Sequence, residues 1–115
     1  MMNYWASNCP PCRAEMPGFQ RVWKRYSDRV LFFGLDIGRF AGFGGPEVSK
    51  RQLQSLGVTY PAAAVPNQQT MQGLRVQGLP TTEFITSEGI VVKSWTGQLN
   101  EAKLTEMIES LLSVN

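Results

Sequence analysis

The stretch Ala6-Ser7-Asn8-Cys9-Pro10-Pro11-Cys12-Arg13 holds the only two cysteines of a 115-residue chain, three positions apart. Before it, Met2 to Ala6 is a short apolar run rich in aromatics that stops at the turn-forming pair Ser7-Asn8, the pattern of a strand. After it, Pro10 suits the first turn of a helix, where its missing N–H would have had no partner. Met16, Phe19, Val22, Trp23 and Tyr26 then recur at spacings of three and four, an apolar stripe on one helical face. Pro17-Gly18 inside that stripe predicts a kink or a split, because proline removes a backbone bond and glycine weakens the turn. The cysteines therefore stand at a strand-to-helix junction.

Three uses of such a pair compete: a structural staple, half of a metal site, or a working dithiol. Residues three apart on a helix share a face, so Cys9 and Cys12 can approach to disulfide distance. A loop that short constrains the unfolded chain little, which argues against a staple. A tetrahedral zinc site usually takes four Cys or His ligands, and this chain has two cysteines and no histidine. The missing histidine also removes Ser-His and Cys-His catalysis. A redox dithiol fits best: at a helix N-terminus unpaired amides and the dipole favour the Cys9 thiolate, while Cys12, one turn deeper, is shielded and suited to resolving a mixed disulfide. A Cys-x-x-Cys in a βαβ setting is the pattern of such a site.

The rest of the chain supplies that setting. Val30 to Ile37 is nearly unbroken apolar sequence, as in a strand buried on both faces of a mainly parallel sheet. The glycine-rich segment Gly38 to Pro46 lacks the Gly-Lys-Ser/Thr ending of a phosphate-binding loop and reads as a connection, whose Phe40 and Phe43 either stand exposed to touch a partner or, as the favoured reading, tuck back onto the core. A helix over about 47–56 ends at Gly57. Tyr60 to Val65 is extended, Asn67 caps a short helix to Leu74, and Val76 to Pro80 turns into the strand Thr81 to Ile85. Ser87-Glu88-Gly89 makes a hairpin into Ile90 to Trp95. Leu104, Met107, Ile108, Leu111 and Leu112 mark a last helix, from about Asn100, laid on a sheet. With right-handed crossovers, this order predicts one α/β domain over residues 1–115, a three-layer α/β/α sandwich with a mixed sheet.

Composition narrows the function classes. Hydrophobic residues make up 43% of the chain, enough for one compact core. Net charge is +2, and the loose cluster Arg21, Lys24, Arg25 and Arg29 reads as a solvated helix face; no nucleic-acid partner is expected. There is no apolar run near the roughly 18 residues of a membrane span and no signal peptide. The chain starts directly on a strand, so an upstream piece, such as a targeting segment, is expected to have been removed or never encoded.

Tyr4 to Pro17, YWASNCPPCRAEMP, resembles the active-site segment of thioredoxin-fold proteins, above all the TlpA/ResA-like extracytoplasmic thiol-disulfide oxidoreductases. Gly78-Leu79-Pro80-Thr81-Thr82 resembles the loop of that family whose proline is cis and faces the disulfide. Gly57-Val58-Thr59-Tyr60-Pro61 and the short inserted helix extend the resemblance over nearly all of the chain. It implies that Cys9 attacks, Cys12 resolves, Glu15 is an acid/base helper, and Trp5, Asn8, Pro10, Pro11, Leu79 and Pro80 form the substrate groove. An ordinary first-turn carboxylate favoured by the helix dipole is the competing reading of Glu15. No metal, flavin or nucleotide cofactor is implied beyond the Cys9–Cys12 disulfide. The implied partners are protein thiol/disulfide substrates and an upstream dithiol donor, in the bacterial periplasm or on the outer membrane face, with cytochrome c maturation as one use.

The sequence also departs from that family. Asn8 stands where tryptophan is usual, Asn3 where thioredoxin has a buried aspartate, and Glu83 where an apolar strand residue is normal. A buried Glu83 must be protonated or paired, or else point outward. Without the family's upstream strand and hairpin, the Val30–Ile37 strand is expected to lie at a sheet edge and to invite a homodimer. Two other functions stay open: a thiol peroxidase, weakened because Ala6 and Cys9 stand where Thr-x-x-Cys needs threonine, and a non-catalytic thioredoxin-like binding module.

Overall fold

The computed structural model describes residues 1–114. Strand β1 (Met2–Trp5) leads into helix α1 (Pro10–Tyr26), then β2 (Phe33–Asp36), the short helices and strand α2 (Gly38–Ala41), α3 (Pro46–Ser55), β3 (Ala62–Ala64) and α4 (Gln68–Gln72), the hairpin β4 (Thr81–Ile85) and β5 (Val91–Thr96), and α5 (Glu101–Val114). The sheet is mixed, in the order β3-β2-β1-β4-β5. β1 pairs parallel with β2 and antiparallel with β4, and β2 pairs parallel with β3.

Two successive parallel crossovers step the same way across the sheet, so right-handed connections put α1 and α3 on one face. Leu53 of α3 accordingly packs on the Trp5, Cys12 and Met16 cluster. α5 shares that face: Leu104, Met107, Ile108 and Leu111 meet Phe19 and Val22 of α1 over Phe84 of β4. The helices are also tied at the surface, where Arg21 pairs with Glu101 and Arg25 donates to Thr105 at 3.2 Å. Gly18 allows the approach, since a Cβ there would lie 2.8 Å from Glu101 Cγ. On the other face, among the described residues, only α2 and α4 cover the sheet, through Phe40, Met71 and the following Leu74 against Tyr4, Ile37 and Val65.

The structure corrects four expectations. α1 runs unbroken through Pro17, so that proline removes one backbone bond without splitting the helix. The second strand is short, Phe33–Asp36, although Val30 and Phe32 before it are buried in the core. The glycine-rich connection folds its first four residues into α2. Most consequentially, β2 is not at an edge: β1 flanks it on one side and β3 on the other, through the pairs Gly34 with Ala62 and Asp36 with Ala64. Ala62–Ala64, which the sequence marks only as part of an extended segment and whose composition gives little strand preference, supplies the neighbour that closes β2, so β2 offers no free edge to a second copy.

Candidate active site

β1 delivers the chain to the site, and the Ser7-Asn8 turn is held from outside the motif. The Asn8 amide donates to the Phe43 carbonyl at 2.8 Å, and Gln52 Nε2 donates to the Ser7 carbonyl at 2.9 Å. Gly44, at φ +105°, lies so close that a Cβ would overlap Ser7 Oγ. Cys9 is the N-cap of α1 in an extended conformation, and its carbonyl accepts the Arg13 amide at 3.1 Å.

Cys9 and Cys12 are joined in a disulfide with their Cα atoms 5.3 Å apart. Cys9 is 6% exposed and Cys12 fully enclosed, so an incoming group reaches only the first sulfur. Pro10 and Pro11 occupy the first helical positions and have no N–H. Of the free amides that open a helix, the one at Cys12 is left to face a Cys9 thiolate, together with the helix dipole. The sequence expectation of several amides at Cys9 is thereby reduced to one.

The Leu79–Pro80 bond is cis. Thr81 Oγ1 fixes that loop by donating to the Gly78 carbonyl at 2.6 Å. Between it and the cysteines lies an open cleft of about 440 Å³, with Asn8, Cys9, Pro10 and Pro11 on one wall and Gln77, Gly78 and Leu79 on the other. Pro80 itself is buried, and the half-buried Leu79 before it lines the cleft. Trp5 does not reach the cleft: at 1% exposure it packs beneath the disulfide with Ala6, Cys12 and Met16, which excludes the direct substrate contact expected of it.

Glu15 lies one turn beyond Cys12 on the same face of α1 and is 3% exposed. It is in the second turn, so the first-turn dipole explanation does not apply. Asn3 Nδ2 donates to Oε1 and the Leu99 amide to Oε2, each at 3.0 Å. Burial pushes the carboxyl up to about 7, against the opposing pull of the Leu99 and Asn3 hydrogen bonds. Asn3 also donates to Thr82 Oγ1 at 3.1 Å, tying the active-site helix to β1 and β4. Tyr60, whose buried hydroxyl has no hydrogen-bond partner, titrates above its ordinary range through burial first and the Glu15 charge second. Glu83 is half-buried on the opposite sheet face and accepts from the Tyr4 hydroxyl at 2.8 Å, so it is paired rather than bare.

Gln52 and Phe43 contact the motif in a way the sequence does not reveal, because nothing in their local pattern points 45 or 36 residues back to Ser7. Among the described residues no group of three or more His, Cys, Asp or Glu is placed to hold a metal. No helix among them is long and apolar enough to cross a membrane.

A strand, a Cys-x-x-Cys at the head of a helix and a cis-proline loop facing it define the thioredoxin-like class. The chain belongs to the thioredoxin-like domain family, whose model matches residues 1–112. It is 28% identical over 109 residues to the thiol-disulfide oxidoreductase ResA of Halalkalibacterium halodurans, covering 94% of this chain and 59% of that protein. It is 29% identical to the ResA of Bacillus subtilis over 104 residues, covering 90% of this chain and 55% of that protein. The chain thus spans somewhat over half the length of these relatives. Among solved structures, StoA of Bacillus subtilis matches with a TM-score of 0.80 at 22% identity, covering 93% of this chain and 79% of that one. A thiol:disulfide interchange protein of Chlorobium tepidum matches with a TM-score of 0.80 at 24% identity, covering 96% and 77%.

Proposed function

We propose that the chain is a thiol-disulfide oxidoreductase that uses Cys9 and Cys12 to reduce disulfides of protein substrates. The observation that supports it best is the pairing of the two cysteines at the mouth of a cleft whose far wall is the cis-Pro80 loop. The Cys9 thiolate attacks one sulfur of the client disulfide and expels the other as a thiolate, which takes up a proton. Cys12, deprotonated, then attacks Cys9 Sγ, forming the Cys9–Cys12 disulfide and releasing the second client thiol. Two electrons pass to the client, and an upstream dithiol returns them.

Glu15 takes the Cys12 proton in this scheme. A carboxyl titrating near 7 divides its population between acid and base at neutral pH, as a proton shuttle must. The main chain at Leu79 aligns an extended client segment by strand addition. Asn8, exposed where the family favours tryptophan, sets the polarity beside the nucleophile. The scheme needs no metal or organic cofactor, and its setting is an oxidising compartment outside the cytoplasm, in keeping with the name of one structural neighbour, a pneumococcal exposed lipoprotein thioredoxin.

The test is reduction of a protein disulfide by the dithiol form, with the couple titrated in a glutathione buffer. Wild type is active, Cys9→Ser is inactive though folded, and the potential is well below that of the buffer. Inactivity of folded wild type removes the oxidoreductase reading, and a high potential reverses its direction.

A further inference from the structure

The cleft beside Cys9 extends past the two motifs into a part of the molecule that neither explains. Beyond Pro10 and Leu79 its walls are Ile37, Ala41 and Phe43 from around α2, and Met71 and Val76 from around α4. None of the side chains lining it is charged. Its volume, about 440 Å³, falls within the roughly 300–1,000 Å³ usual for ligand sites. α2 and α4 are the two short helices that, among the described residues, cover this face of the sheet, so the pocket belongs to the thin layer of the fold.

Phe43 is the informative residue. Its side chain is 45% exposed, whereas its main chain is fixed at both ends: its amide donates to Gly38 at 2.9 Å, and its carbonyl accepts the Asn8 amide at 2.8 Å. An aromatic ring is thus held out toward solvent by a hydrogen bond to the residue preceding the nucleophile. Rings presented on a fixed backbone lose little freedom on binding, which is how contact hot spots are built. Met71, across the pocket, is the flexible counterpart that adapts to different apolar shapes.

We infer that Phe43 and Met71 form a specificity pocket that seats an apolar side chain next to the reactive cysteine of the client, so that uncharged, apolar client segments are selected over charged ones. The inference rests on the oxidoreductase reading. A Leu or Phe side chain gains free energy on leaving water here, whereas a carboxylate would lose its hydration to walls that offer it no counter-charge.

The experiment mixes the reduced protein in single turnover with two cyclic peptides, each closed by one disulfide and identical except for Leu or Asp beside the attacked cysteine. Rates are normalised to those of dithiothreitol, and Trp5, packed beneath the disulfide, reports oxidation by its fluorescence. Wild type prefers the Leu peptide by about tenfold or more, and Phe43→Ser and Met71→Ser each cut that ratio to about threefold or less. Val48→Ser, an exposed apolar residue of α3 outside the cleft, keeps the wild-type ratio. A wild-type ratio within about twofold, or a full ratio in both cleft variants, overturns the pocket. Bis(2-hydroxyethyl) disulfide separates the two levels: if wild type reduces it but shows no peptide preference, only the pocket falls. If wild type reduces neither, the oxidoreductase reading falls and takes the pocket with it.

Discussion

Asn3 Nδ2 lies 3.0 Å from Glu15 Oε1, joining the first strand to the active-site helix by a buried hydrogen bond. Asn3 cannot ionise, so this strand position holds the carboxyl without competing for its proton. The amide donor favours the charged carboxylate and partly offsets the burial that disfavours it. Asn3→Ala removes that donor, and the Glu15 carboxyl should then titrate higher than about 7. A carbon-13 NMR titration of the Glu15 carboxyl reads the change directly; a fall or no movement would show that the hydrogen bond does not tune it.

The raised Glu15 titration has a consequence for stability. Well below pH 4.5 the carboxyl is neutral in both folded and unfolded chains and contributes nothing. As the pH rises toward 7 the unfolded chain gives up the proton while the folded chain keeps it, so the native state loses stability across that window. The loss levels off above about 7 at an order of 3 kcal/mol, because the folded carboxyl titrates near 7 and the unfolded one near 4.5. Urea unfolding of the oxidised protein at pH 5 and pH 8 should show wild type losing more stability than Glu15→Gln by roughly that amount. Equal losses in the two proteins would place the titration elsewhere.

Pro11 occupies a position whose amide would otherwise point at the N-cap side chain, and here that side chain is Cys9. Pro11→Ala restores the N–H. A hydrogen bond to a charged acceptor contributes about 1.5–3 kcal/mol, so the restored amide should favour the Cys9 thiolate over the thiol. Stabilising the thiolate also stabilises the reduced form, and the couple becomes more oxidising. Alkylation rate against pH measures the first effect and a glutathione titration the second; an unchanged alkylation profile would show that the added amide does not reach the sulfur.

The site was legible where chemistry is encoded by adjacency, and obscure where it is made by packing. Cys9, Cys12 and the cis-Pro80 loop stand in short motifs, and the periodicities on either side of them suffice for α1, α5 and the order of the hairpin. β3 was not legible as a sheet neighbour because Ala62–Ala64 carries no strand preference; it pairs because β2 offers an unfilled edge. Trp5 sits in the motif and yet points inward, since alternation along β1 sends Asn3 and Trp5 to the face under α1 and Tyr4 to the other. The tie from Gln52 to Ser7 spans 45 residues and only the crossover through α3 brings it about.

The tie between Gln52 and Ser7 couples the fold to the turn that carries the nucleophile. Gln52 Nε2 donates to the Ser7 carbonyl, while its Oε1 is buried without a partner, so one end of the side chain stabilises and the other costs. Gln52→Leu removes both, which keeps the net loss of stability small, at about 1 kcal/mol or less. The local effect should be larger, because the Ser7 carbonyl loses a donor and the turn before Cys9 keeps only its tie to Phe43. Amide exchange at Asn8 and Cys9 should therefore accelerate by about tenfold while the core amides of β1 and β4 change little. Uniform acceleration across the sheet would mean that Gln52 supports the fold as a whole, and unaltered exchange at Asn8 would mean that Phe43 alone holds the turn.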